Sequence, residues 1–112
     1  MIGTFHSIWK FEVLEVAIWS ARAQDALQVL QLQPGFLRAS IMHSADETRL
    51  YLVQTDWQDV GSYRRALGSM EAKLGVWPLL ADMQDDATAF EKLLEMNVND
   101  VTRFETSVHD GS

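Results

Sequence analysis

The chain has no cysteine among its 112 residues. That absence removes disulfide scaffolds, thiolate nucleophiles, cysteine-ligated zinc and iron–sulfur clusters together, and it agrees with a cytoplasmic protein. Proline and glycine are scarce, at two and six positions, which excludes collagen-like and low-complexity chains. Positive charge is also short. Nine Lys and Arg stand against sixteen Asp and Glu, a formal net charge of −7, and a surface of that sign repels phosphate backbones. Nucleic acid is therefore not expected as a partner. Long apolar runs are missing too: Val76 to Ala81 carries Pro78 and falls far below the roughly 20 residues that span a bilayer. In the first twenty residues Lys10, Glu12 and Glu15 interrupt any signal-type apolar segment. No membrane contact is expected.

What is present is material for a core. Hydrophobic residues make up 47% and charged residues 22%, the balance of a packed globular chain of single-domain size. The reading is one domain over 1–112, with a core at about 9–98 and a tail at 99–112. After a lead of Met1 to Ser7, Trp9 to Ile18 alternates imperfectly and predicts a strand. Ser20 is placed to cap a helix through Leu32, with Ala23, Ala26, Leu27 and Leu30 on one stripe. Pro34 and Gly35 must end it.

Phe36 to His43 and Arg49 to Trp57 read as a hairpin across Ser44 to Thr48. In its second strand Tyr51, Val53, Thr55 and Trp57 share one face. Asp59 can cap a helix with Val60, Tyr63, Leu67, Met70 and Leu74 on one stripe, weakened by Gly61, Gly68 and Gly75. Pro78 suits the first turn of a further short helix. Asp86 to Met96 has helix formers, yet it also alternates through Phe90, Leu94 and Met96. By propensity it is a helix. The tail from Asn99, with Phe104 and Val108 among its few apolar residues, should be loosely held. Half of the acids fall between Asp82 and Asp110, opposed by Lys92 and Arg103, which reads as a solvated acidic end and not a cation site. Strand, helix, strand, strand, helix, last element is the order of an α+β, ferredoxin-like split βαβ sandwich. The sheet face without helices cannot stay bare, so a homodimer is expected.

The run Gln33-Pro34-Gly35-Phe36-Leu37, the run Tyr51-Leu52-Val53-Gln54-Thr55-Asp56-Trp57 and the amphipathic Val60 to Leu67 together resemble the antibiotic biosynthesis monooxygenase family. The resemblance covers about residues 9–98. It implies a four-stranded antiparallel sheet with helices on one face, paired as a dimeric α/β barrel with a pocket between helices and sheet. It also implies that Thr88 to Asn97 is a fourth strand, against propensity, which tertiary context commonly overrides. In cofactor-independent members that oxidise quinols and phenols, the substrate itself donates an electron to oxygen. Carried over by position, the family's strand Trp is Trp57 and its helix Tyr is Tyr63, the implied catalytic pair. The family's Asn falls on Val53 and its later Arg near Trp77, so that half of the polar set is replaced. Val53, Thr55, Leu67 and Trp77 would wall the substrate pocket. The heme-degrading members' Asn, Trp and His fall near Leu14, Ala66 and Val76, none of which can ligate iron or donate to bound oxygen.

Each residue also has a structural reading. The Trp57 indole N–H can hold a carbonyl or quinone oxygen, or the ring can anchor strand to helix. Tyr63 can relay a proton if its pKa is lowered, serve as a neutral donor, or fill the core. Arg64 and Arg65 are a solvated pair or an anion clamp. His6 and His109 lie in the termini and His43 ends a strand; without paired spacing no metal is expected. The expected activity is cofactor-independent monooxygenation of a small aromatic, phenolic or quinol compound. The alternative is a non-catalytic dimeric module that binds a small apolar ligand.

Overall fold

The computed structural model describes residues 1–107, so Val108, His109 and Asp110 lie outside the described residues. The elements run β1 Phe5–Glu12, α1 Val16–Gln31, β2 Phe36–His43, β3 Leu50–Trp57, α2 Val60–Leu67, α3 Met70–Gly75, α4 Trp77–Leu80, β4 Ala89–Glu91, β5 Leu94–Met96 and β6 Val101–Arg103. β2, β3, β1 and β4 form one antiparallel sheet in that order. This is the ferredoxin-like α+β arrangement predicted above.

β1 starts and ends earlier than the alternation suggested. Phe5, Ser7, Trp9 and Phe11 all point into the core and are buried, so the period of two begins at Phe5 and not at Trp9. The reading ran on to Ile18 because Leu14, Val16 and Ile18 are apolar, but these are 70%, 44% and 59% exposed. The helix begins at Val16, with Glu15 at its N-cap making no side-chain hydrogen bond, and Ser20 is interior to it. Trp19, Ala23, Ala26 and Leu30 form its buried stripe, and the two alanines let its backbone approach the sheet closely.

The helix expected from Val60 to Leu74 is two helices. Asp59 caps α2, its Oδ1 accepting from Ser62 N at 2.7 Å. At Gly68 the helix stops, and Ser69 Oγ accepts from Ala72 N at 3.2 Å, starting α3 anew. A serine hydroxyl offers the backbone an alternative to the continuing ladder. Pro78 sits in the first turn of α4. Gly35 joins α1 to β2 at φ 87°, and a Cβ there would lie 2.3 Å from Ser62 Oγ. Both the backbone sign and the approach of α2 require glycine.

The last element is a strand, as the resemblance implied, but a short one. Ala89–Glu91 pairs with Phe5–Ser7; beyond it the chain leaves the sheet, and Leu94–Met96 pairs with Val101–Arg103. The tail is accordingly not loose at its start. Phe104 N donates to Leu93 O and Glu105 N to Met1 O, each at 2.9 Å. Non-local partners supply what local composition does not encode.

The helices cover the sheet face of Phe5, Ser7, Trp9, Phe11, Val53, Thr55 and Trp57. The opposite face carries His6, Ile8 and Lys10 of β1, Leu52, Gln54 and Asp56 of β3, and Arg38, Ser40 and Met42 of β2. No helix among the described residues is long and apolar enough to cross a membrane.

Candidate functional site

Trp57 and Tyr63 come together under α2. Trp57 is fully buried and Tyr63 nearly so, with ring centroids 6.0 Å apart. Strand alternation turns Trp57 inward at the end of β3, and the Asp59 cap starts α2 so that Tyr63 falls on its buried face. Phe36 meets Trp57 edge-on at 5.3 Å, and Phe5 lies 4.8 Å from Tyr63.

Polar groups thread this aromatic layer. Trp57 Nε1 donates to Thr55 Oγ1 at 2.8 Å, Thr55 Oγ1 bonds its cross-strand partner Ser7 Oγ, and Ser7 reaches the Tyr63 hydroxyl. Trp9 Nε1 donates to the same hydroxyl at 3.3 Å. Ser7, Trp9, Thr55, Trp57 and Tyr63 thus form one buried row. Two indole N–H groups and three hydroxyls hold five hydrogens for four links, so one hydrogen is always left without an acceptor inside the row. Burial pushes the Tyr63 pKa above its ordinary value, against the lowering effect of bonds from Trp9 and Ser7. The group is a neutral phenol at physiological pH. The shift is opposite to the lowering that a proton relay at this hydroxyl would need.

A second polar cluster lies on the other sheet face. Asp56 is buried and accepts from His6 Nδ1 at 2.6 Å, Arg38 Nε at 2.7 Å and Gln54 Nε2 at 3.0 Å. Thr4 Oγ1 lies 2.8 Å from His6 Nε2. Burial raises the Asp56 pKa, but the hydrogen bonds from Gln54, His6 and Arg38 outweigh it and hold the carboxyl below its usual range. His6 is therefore a strand residue in a charged network and not a terminal one. Among the described residues no group of three or more His, Cys, Asp and Glu side chains could hold a metal ion.

Of the expected pocket wall, Val53 and Thr55 are fully buried beside Trp57. Leu67 is half-buried against the core, and Trp77 is 49% exposed, donating Nε1 to Leu67 O at 2.8 Å. Three of these wall residues, with Trp57 and Tyr63, are thus in or against one core, while Trp77 stands outside it. Leu14 is at the surface, and Ala66 and Val76 are buried. Among the described residues, surface cavities lie elsewhere. One, of about 500 Å³, lies between α2 and β4, with Phe5 in its wall.

The family model for antibiotic biosynthesis monooxygenases matches residues 15–76. The chain belongs to the antibiotic biosynthesis monooxygenase family. No curated protein matches it. Among solved structures, this family member is similar to a variant of SnoaB, a cofactor-independent oxygenase from Streptomyces nogalater, at 18% identity and a TM-score of 0.72, over 88% of this chain and 99% of that one. A conserved protein from Methanosarcina mazei Go1 follows at 17% identity and 0.64, covering 92% and 94%. A protein of Nitrosomonas europaea, provisionally described as an antibiotic biosynthesis monooxygenase, matches at 11% and 0.65, covering 82% and 90%. At these identities the likeness is one of fold.

Sequence reasoning passed over Ser7, Trp9 and the group around Asp56. A signal for the first two was available, because Phe5, Ser7, Trp9 and Phe11 alternate without a break. Nothing local signals the Asp56 network, whose members come from three strands.

Proposed function

We propose that this protein is a cofactor-independent monooxygenase of small aromatic, phenolic or quinol compounds, acting as a homodimer with Trp57 and Tyr63 as the groups that hold the reacting oxygen. Family membership supports the reaction class, and the name of SnoaB supports the cofactor-independent form. The observation that carries the reading is the buried row and its surplus hydrogen. Buried polar groups disfavour folding unless they are bonded, and the links within this row leave one of its hydrogens to find an acceptor outside it. A substrate phenolate or quinone oxygen is an acceptor that would complete it. In the reaction, the electron-rich ring reduces dioxygen: one oxygen atom becomes the new ring carbonyl, the other leaves as water, and the ring loses two hydrogens. Phenol plus dioxygen thus gives quinone plus water. The protein contributes a dry site and donors aimed at the developing charge.

The non-catalytic binding module is supported by a different observation: among the described residues, Trp57 and Tyr63 line neither the cleft between α2 and β4 nor the four other surface cavities. Oxygen uptake with a panel of dihydroxy-aromatics separates the readings. Tyr63→Phe removes only the hydroxyl, so turnover should fall on the order of 10²-fold while stability changes by no more than about 1.5 kcal/mol. Wild-type protein silent across the panel, or a variant as active as wild type, favours the module.

A further inference from the structure

We infer that Ser7 and Trp9 are positioning residues that turn the Tyr63 hydroxyl hydrogen out of the buried row, so that Tyr63 and not Thr55 is the donor offered to the reacting oxygen. The two ends of the row have a fixed direction. An indole N–H only donates, so Trp57 must give to Thr55 Oγ1, at 2.8 Å, and Trp9 to the Tyr63 hydroxyl oxygen, at 3.3 Å. Between these ends the hydroxyls of Thr55, Ser7 and Tyr63 share two links, and each link takes one hydrogen. The hydrogen left over belongs to one of the three.

Burial decides which. Among the described residues Thr55 Oγ1 bonds Trp57 and Ser7 alone, and Ser7 Oγ bonds Thr55 and Tyr63 alone, so a hydrogen turned out at either would meet no acceptor. Both residues are 0% exposed, and a buried hydroxyl hydrogen without a bond is costly. Tyr63 is 8% exposed, the one hydroxyl-bearing member of the row with any surface. The arrangement of lowest cost therefore runs from Trp57 to Thr55 to Ser7 to Tyr63, each giving a hydrogen to the next, with Trp9 giving from the other side. The Tyr63 oxygen accepts twice, and its own hydrogen points away from both Ser7 and Trp9. The bonds from Trp9 and Ser7 each act to lower the Tyr63 pKa against burial, the sign of a bond given to the phenol oxygen and not of one taken from it. Each link polarises the next, so the loss of Ser7 should be felt at Tyr63. The direction of the row stands by itself; its role in turnover rests on the oxygenase reading.

The test reads the Tyr63 hydroxyl by the ultraviolet resonance Raman doublet of tyrosine, which distinguishes an accepting phenol from a donating one. Subtracting the spectrum of Tyr63→Phe removes the signal of Tyr51, the other tyrosine. The two possible directions of the Ser7 link predict opposite changes. If Ser7 gives to Tyr63, Ser7→Ala should move the doublet toward a donor, and Ser7→Thr, which keeps a hydroxyl, should restore it; Trp9→Phe should move it the same way as Ser7→Ala. Trp9 is also core packing, so Ser7→Ala carries the decision. A doublet that moves toward an acceptor in Ser7→Ala, or does not move, would overturn the inference. In oxygen uptake with dihydroxy-aromatics, Ser7→Ala should lower kcat about tenfold, one hydrogen bond's worth, with KM unchanged and with recovery in Ser7→Thr. Full kcat in Ser7→Ala would also overturn the inference. Wild-type protein that takes up no oxygen, with the Raman changes as expected, would remove the oxygenase reading and leave the direction of the row standing.

Discussion

Single residues in this fold carry unequal weight, and Asp56 carries more than its place on an open sheet face suggests. Three side chains converge on it, and they hold its pKa below the ordinary value. A carboxyl depressed in the folded state adds stability above its unfolded pKa of about 3.9 and loses it as pH falls through the folded value. Asp56→Asn should therefore be less stable than wild type by about 1–3 kcal/mol at neutral pH. In urea titrations the gap should narrow below about pH 4; a gap independent of pH would show that the charge is not what Arg38 and His6 recognise. Gly35 is a second such residue, with its positive φ and its approach to Ser62. Gly35→Ala should lose about 1–3 kcal/mol, read as a lower urea midpoint with an unchanged slope.

The elements explain how a core with a buried polar row is positioned. α2 is only eight residues long and carries glycine at position 61, so it cannot be stable by propensity alone. It is held at its start by Asp59 and on its inner face by Ser62, Tyr63 and Ala66. Asp59→Ala should cost about 1 kcal/mol. It should also loosen Tyr63 against Trp57, seen as faster amide exchange through Val60–Leu67; unchanged exchange would mean that packing alone sets the helix. β4 is equally dependent on context. Its three residues pair with Phe5–Ser7, and its composition favours a helix, but β1 offers an unpaired edge whose groups need partners.

At the scale of the molecule the open sheet face is the unfinished part. Ile8, Leu52 and Met42 lie on it among Lys10, Gln54 and Ser40, and a patch of this kind on a single chain calls for cover. The proposed homodimer should bury more than about 1,000 Å² in total. Sedimentation should give a dimer for wild type and a monomer for Leu52→Glu with unchanged far-ultraviolet circular dichroism. A wild-type chain that stays monomeric at micromolar concentration would remove the dimer.

Much of this was determined by local pattern. The hairpin from Phe36 to Trp57, the inward face of Val53, Thr55 and Trp57, the Asp59 cap and the Pro78 turn follow from alternation, capping and the fixed φ of proline. Each is written within a few neighbouring residues. Composition likewise pointed to a packed globular chain, since 47% hydrophobic residues supply a core. Tertiary structure alone decided the rest. Leu14, Val16 and Ile18 are as apolar as any core residue, and only the path of the chain leaves them exposed. Ser69 ends one helix and begins another because its hydroxyl meets Ala72 N. Phe90 joins a strand because β1 has a free edge. The row from Trp57 to Trp9 and the cluster on Asp56 exist only when strands distant in sequence lie side by side, and no local period records a contact across fifty residues.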